Sequence, residues 1–172
     1  MPILPKVRDP RLITIRRGGS LTDVDHHLLA EWSLKCAEHV LCLFENEVPN
    51  DQRPRQAIEL GYSWIRGEVP MRDAHNMAFT ANAAGRGLIA PAKFAALSAG
   101  QAVAVAHVAA HNLGAAAYAI RAALSAGPAD RTEALRIRER DWQRERLPDA
   151  VRDLVLDDQR LRSPICWNVF DD

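Results

Sequence analysis

Residues 91–126 read PAKFAALSAGQAVAVAHVAAHNLGAAAYAIRAALSA, and this stretch decides the fold. Alanine fills nearly half of it, and alanine has the highest intrinsic helix propensity. The small side chains also let neighbouring helices approach closely, so the stretch is expected at the centre of a helical bundle. Gly114 is placed to kink or split it near Asn112, and Gly127-Pro128 stops it.

Working outward, Thr132 to Leu147 is rich in Arg and Glu, with Leu135, Ile137 and Trp142 as its few apolar members. Pro148 opens a last helix, with Val151, Leu154, Val155 and Leu161 expected inside. The tail from Ser163 to Asp172 carries Ile165, Trp167 and Phe170, which suit docking onto the body. Toward the N-terminus, Pro70 begins a helix with Met71, Ala74, Met77, Ala78 and Ala81 inward, ended by Gly85 and Gly87. Pro54 opens another, with Ala57, Ile58, Gly61, Trp64 and Ile65 as its stripe and Gly67 at its end. Ser20 or Thr22 starts the first helix, whose apolar residues from Val24 to Phe44 fall at intervals of three and four. The three prolines of residues 1–11 and the short β-branched run Leu12–Ile15 read as an extended arm, closed by Gly18-Gly19. The reading is all-α: a single-domain bundle of six to seven helices spanning residues 20–172, with an extended N-terminal arm over residues 1–19.

Composition bounds the function. Twenty-two basic side chains balance 22 acidic ones, so the chain as a whole has no field to attract nucleic acid or an anionic membrane. Mass scaling gives about 8,400 Å² of folded surface, so about 70% of the extended chain's surface is buried and a full core forms without staples. Cys36, Cys42 and Cys166 are odd in number and lack CxxC spacing, which argues against a disulfide framework or a zinc knuckle. The N-terminus has no apolar signal-peptide core, and no apolar run is long enough to span a membrane. These features point to the cytoplasm. A GxSxG elbow, a Walker loop, a Rossmann fingerprint and an EF-hand are all missing. No metal and no cofactor is expected.

The residues that can carry chemistry are few. His107 and His111 stand four apart, one turn on one helical face if the helix is continuous. They read either as hydrogen-bonded core histidines or as an acid–base pair in a pocket. Tyr118, seven residues further, would lie on the same line. Gln101 and Asn112 fall about 120° round the helix and converge with the histidines only through a kink or neighbouring helices. A ligand pocket predicts a cavity of at least about 300 Å³ reaching His107. His26 and His27 fall in a first helical turn, where the dipole disfavours imidazolium, and are expected in solvent. His39 is expected to be half buried, and His75 fits either environment. Arg16-Arg17-Gly18-Gly19 has the composition to cradle an anion through backbone amides and guanidinium forks. The mixed charges of residues 131–146, and those of the last helix around Asp149, Asp153, Asp157 and Asp158, read as solvated faces laced with ion pairs.

The order of segments resembles a bacterial family of immunity proteins. The similarity runs from Arg16-Arg17-Gly18-Gly19-Ser20-Leu21-Thr22 through Asp25-His26-His27-Leu28-Leu29-Ala30, Arg53-Pro54-Arg55-Gln56-Ala57-Ile58-Glu59 and Ala106-His107 with His111. It continues through Leu113 to Ala119 and Leu154 to Arg160, and closes with Cys166-Trp167 and Phe170. The resemblance implies a helical protein that neutralises a toxin or sequesters a toxic small molecule. Where it leads one to expect histidines, this chain has Asn82 and Gln101, and Ala110 stands where an acid is expected. Amides keep the hydrogen bonding but do not titrate near neutral pH.

Two functions follow. An immunity-type binder would show a patch of aromatic or arginine anchors drawn from Trp32, Trp64, Trp142 or Trp167. The alternative is a small cofactor-independent enzyme of specialised metabolism, of cyclase, lyase or isomerase type. There His107, His111 and Tyr118 would be catalytic, and Gln101, Asn112, Asn82 and His39 would hold the ligand. The partner is accordingly a toxin protein or a small molecule, not nucleic acid or membrane, and the alanine-rich helices suit a homodimer.

Overall fold

A computed structural model describes residues 3–172; the first two residues of the expected arm lie outside it. Seven helices of 13 to 18 residues and one of four make up the described chain: α1 Asp23–Val40, α2 Cys42–Glu45, α3 Arg53–Ile65, α4 Met71–Ala84, α5 Ala92–Ala104, α6 His111–Ser125, α7 Thr132–Glu145 and α8 Asp149–Arg162. No strand occurs among the described residues, and the accessible surface is 8556 Å². The helix starts follow local chemistry. Thr22 Oγ1 accepts the Asp25 N–H at 3.0 Å, with Asp23 and Asp25 in the first turn of α1. Proline stands in the first turn of α3 and immediately before α4, α5 and α8, where its missing N–H costs nothing.

Helices α5 and α6 lie at the centre, flanked by α4 and α1, with α3 against α4 and α7 against α6. Most of their alanines, among them Ala95, Ala99, Ala102, Ala115, Ala116 and Ala119, are buried. Contact is close enough to require glycine. A Cβ on Gly100 would sit 2.1 Å from Asn82 Oδ1 and 3.1 Å from the Ala78 carbonyl, and one on Gly114 would sit 2.6 Å from Gln101 Oε1. Ser98 ties the pair by donating to the Ala115 carbonyl at 2.8 Å.

The alanine-rich stretch is divided, but not at Gly114, which lies inside α6. The break is at Val105–Ala110. That segment holds no Gly or Pro, and three of its six carbonyls are taken by side chains from distant parts of the chain. His26 Nε2–H donates to Val105 O at 2.6 Å, Arg17 to His107 O at 3.3 Å and Arg162 to Ala110 O at 3.0 Å. Tertiary partners thus satisfy the backbone groups that a helix end leaves free.

The N-terminal segment lies on the body. It forms short 3-10 turns at Pro10–Leu12 and Ile15–Arg17, and the β-branched run contributes one bridge, Thr14 to Leu21, rather than a strand. Ile3, Leu12 and Leu21 are buried in the main core. Arg11 joins Asp9 and, at 2.6 Å, Asp157 of α8.

Two charged faces differ from the solvated ion-pair surfaces expected. On α7, Arg136, Arg140 and Arg144 donate to the carbonyls of Val169, Asp171 and Phe170 and so hold the C-terminal tail. On α8, Asp158 and Arg162 form a buried pair, while Leu161, expected inside, is 56% exposed.

Candidate functional site

The break between α5 and α6 forms the floor of a cleft of about 490 Å³. The N-terminal segment supplies one wall, with Arg8, Leu12, Arg16 and Arg17. The start of α1 supplies His26, the end of α3 Trp64, the start of α4 Met71, and the break itself His107. No Asp or Glu is among the lining side chains.

The Arg16-Arg17-Gly18-Gly19 run is a folded turn. Gly18 has φ of 87°, and a Cβ on Gly19 would lie 2.0 Å from the Ile13 carbonyl. Only glycine fits both positions. The amides of Arg17, Gly18 and Gly19 donate to Thr14 and Ile15 carbonyls within the turn, so the expected backbone cradle does not exist. What the turn offers to the cleft is guanidinium. Arg16 reaches Asp23 at 2.9 Å, and Arg17 spends one N–H on His107 O. Arg8 has no carboxylate partner among the described residues.

His26, expected in solvent, is 5% exposed. Its Nε2–H is committed to Val105, which leaves Nδ1 as the basic nitrogen. Burial is the main cause that lowers its pKa. Trp64 meets His26 and His27 edge-on, with centroids 5.1 and 4.8 Å apart. His107 stacks on His75 at 4.1 Å and 5°. Its Nδ1 is buried without a hydrogen-bond partner. Burial is again the first cause of its lowered pKa, followed by the positive charges of His75, Arg17 and Arg8.

The other sequence-predicted residues do not converge here. His107 lies in the break and His111 opens α6, so they do not share a turn of one helix. His111 Nδ1–H donates to Gln101 Oε1 at 2.7 Å, and burial holds its pKa at about 4. Asn112 is buried and bonds back to Ala109 O at 2.8 Å. Asn82 packs its amide against Gly100. Tyr118 stacks near Phe94 and Trp167 beneath Arg121, and burial raises its pKa.

Of the tryptophans, Trp32 is buried and donates to Gln143 O at 2.9 Å. Trp142 forms a second, shallower surface. His39 stacks on it at 3.6 Å and 4°, Arg146 covers it at 4.0 Å, and His39 also bonds to the buried Glu139 at 2.9 Å. Sequence reasoning missed Arg8, Met71 and the role of His26. Nothing local marks them, because the cleft is assembled from five separate segments.

No three His, Cys, Asp or Glu side chains gather to hold a metal among the described residues, and no helix there is long and apolar enough to cross a membrane. What fold and site define is an all-helical bundle with one open, cationic, partly apolar cleft. Residues 19–150 match the model of the family described as Imm-5 like putative immunity protein, and the chain belongs to that family. No curated protein and no solved structure matches it. The matched stretch contributes His26, Trp64, Met71 and His107 to the cleft; the arginine wall precedes it.

Proposed function

We propose that the protein is an immunity factor that neutralises a toxin by binding it across the cleft face. One observation carries the reading: in a chain of an immunity family, a cationic cleft is bordered by large apolar side chains left in water. Ile15, between two lining residues, is 61% exposed, and Val24, beside the Arg16–Asp23 pair, is 70% exposed. Arginine and tryptophan are the residues in which a protein interface concentrates its energy, and Arg8, Arg16, Arg17 and Trp64 line this cleft, with Ile15 and Val24 as the apolar surface around it.

The catalytic alternative has His107 in the cleft, but its intended partner His111 is a neutral ring bound to Gln101, and Tyr118 is engaged by Trp167. Binding is the use that draws on all the lining groups.

The test is protection of cells from a toxin, sought among the products of the genes next to this one. Co-expression should protect cells from it, and Ile15→Asp with Val24→Asp should abolish protection while helicity is retained. Protection undiminished in that double variant would exclude this face.

A further inference from the structure

We infer that the cleft receives an oxyanion carried on a flat apolar body. This takes the cleft as the recognition site proposed above and adds the chemistry of what enters it.

The charge argument rests on which arginines are already satisfied. Arg11 is consumed by Asp9 and Asp157, outside the cleft. Arg8 and Arg17 line the cleft, and neither has a carboxylate partner among the described residues. Arg17 is anchored by a single bond to His107 O, which leaves the rest of its fork for a ligand. Guanidinium forks suit carboxylate, sulfonate or phosphate oxygens.

Other lining groups are apolar. Trp64, Met71 and Leu12 line the same cleft as the arginines, and about 490 Å³ is room for a small molecule rather than a bare ion. The buried, unpartnered Nδ1 of His107 adds one polar group at the floor. Burial first, then the stacked His75, and after it the charges of Arg17 and Arg8 favour the neutral form of His107. A bound anion offsets them, so by linkage the His107 titration moves up when the cleft is filled.

The test uses three probes of fixed charge on the full chain: benzenesulfonate, inorganic sulfate and benzyl alcohol, followed by histidine and tryptophan NMR signals and by calorimetry. Benzenesulfonate should bind more tightly than either fragment, shift the His26, His107 and Trp64 signals, and raise the midpoint of the His107 titration. Arg8→Gln and Arg17→Gln should each weaken it by about tenfold or more, while Arg131→Gln, on the turn before α7, should leave it unchanged. All three arginines are exposed, so the variants fold. No shift at those signals, or sulfate binding as well as benzenesulfonate and equally in every variant (an adventitious ion only), would overturn the inference. Should benzenesulfonate bind and displace the toxin, the anion stands in for a group of the partner. Should it bind without displacing toxin, the cleft is a small-molecule site and toxin docking there is what fails.

Discussion

Burial holds His111 at a pKa of about 4, with its Nδ1–H serving Gln101. In the unfolded chain the same ring titrates near 6.5. Between those values the unfolded state binds more protons, so stability is full above about pH 6.5 and is lost as pH falls toward 4. The span corresponds to about 3 kcal/mol, and His26 moves in the same direction. Urea unfolding at pH 7 and at pH 4.5 should show this loss, and His111→Gln should flatten it. An unchanged pH slope in that variant would place the proton uptake elsewhere. The histidines also show where single-residue reading stops. The dipole at the start of α1 argued for a solvated His26, but packing under Trp64 and a carbonyl exposed by a break some eighty residues away outweigh it.

At the scale of elements, Gly100 measures how tightly α4 and α5 meet. Alanine there gains about 1 kcal/mol of helix propensity, but its methyl group would enter Asn82 and press on the Ala78 carbonyl. Overpacking costs about 1–3 kcal/mol, so Gly100→Ala should lower the thermal midpoint by a few degrees. Adding Asn82→Ala should recover part of the loss; calorimetry of the single and double variants checks both. The same elements show what was legible. The Thr22 cap, the proline in the first turn of α3, those ahead of α4 and α8, and the alanine content of α5 and α6 are local signals, and the helices form where they fall. The break at Val105–Ala110 has no such signal. Three of its carbonyls are taken by His26, Arg17 and Arg162, partners that only the folded chain brings there. Since that break floors the cleft, the sequence showed His107 and the Arg16-Arg17 turn separately, but not that they meet.

Across the whole molecule, Arg162 is the tie between remote parts. Its guanidinium bonds Asp158 on α8, the Ala110 carbonyl at the break and the Ile3 carbonyl of the N-terminal segment. Arg162→Ala leaves Asp158 buried without its counter-charge and should cost about 3–5 kcal/mol in urea unfolding. Arg162→Met with Asp158→Leu, which removes both charges, should recover much of that. If the single and double variants were equally unstable, the lost ties to Ala110 and Ile3 would be the cause rather than the stranded charge. The segment held this way has a separate consequence. Its anchoring depends on Ile3, Leu12, Leu21 and Arg11, whereas Arg8 lines the cleft without a carboxylate partner among the described residues. Exchanging Arg8 for an acid would weaken the pull of the cleft on anions without touching a contact that any helix depends on. Selectivity in this protein can therefore drift quickly on a scaffold that stays still.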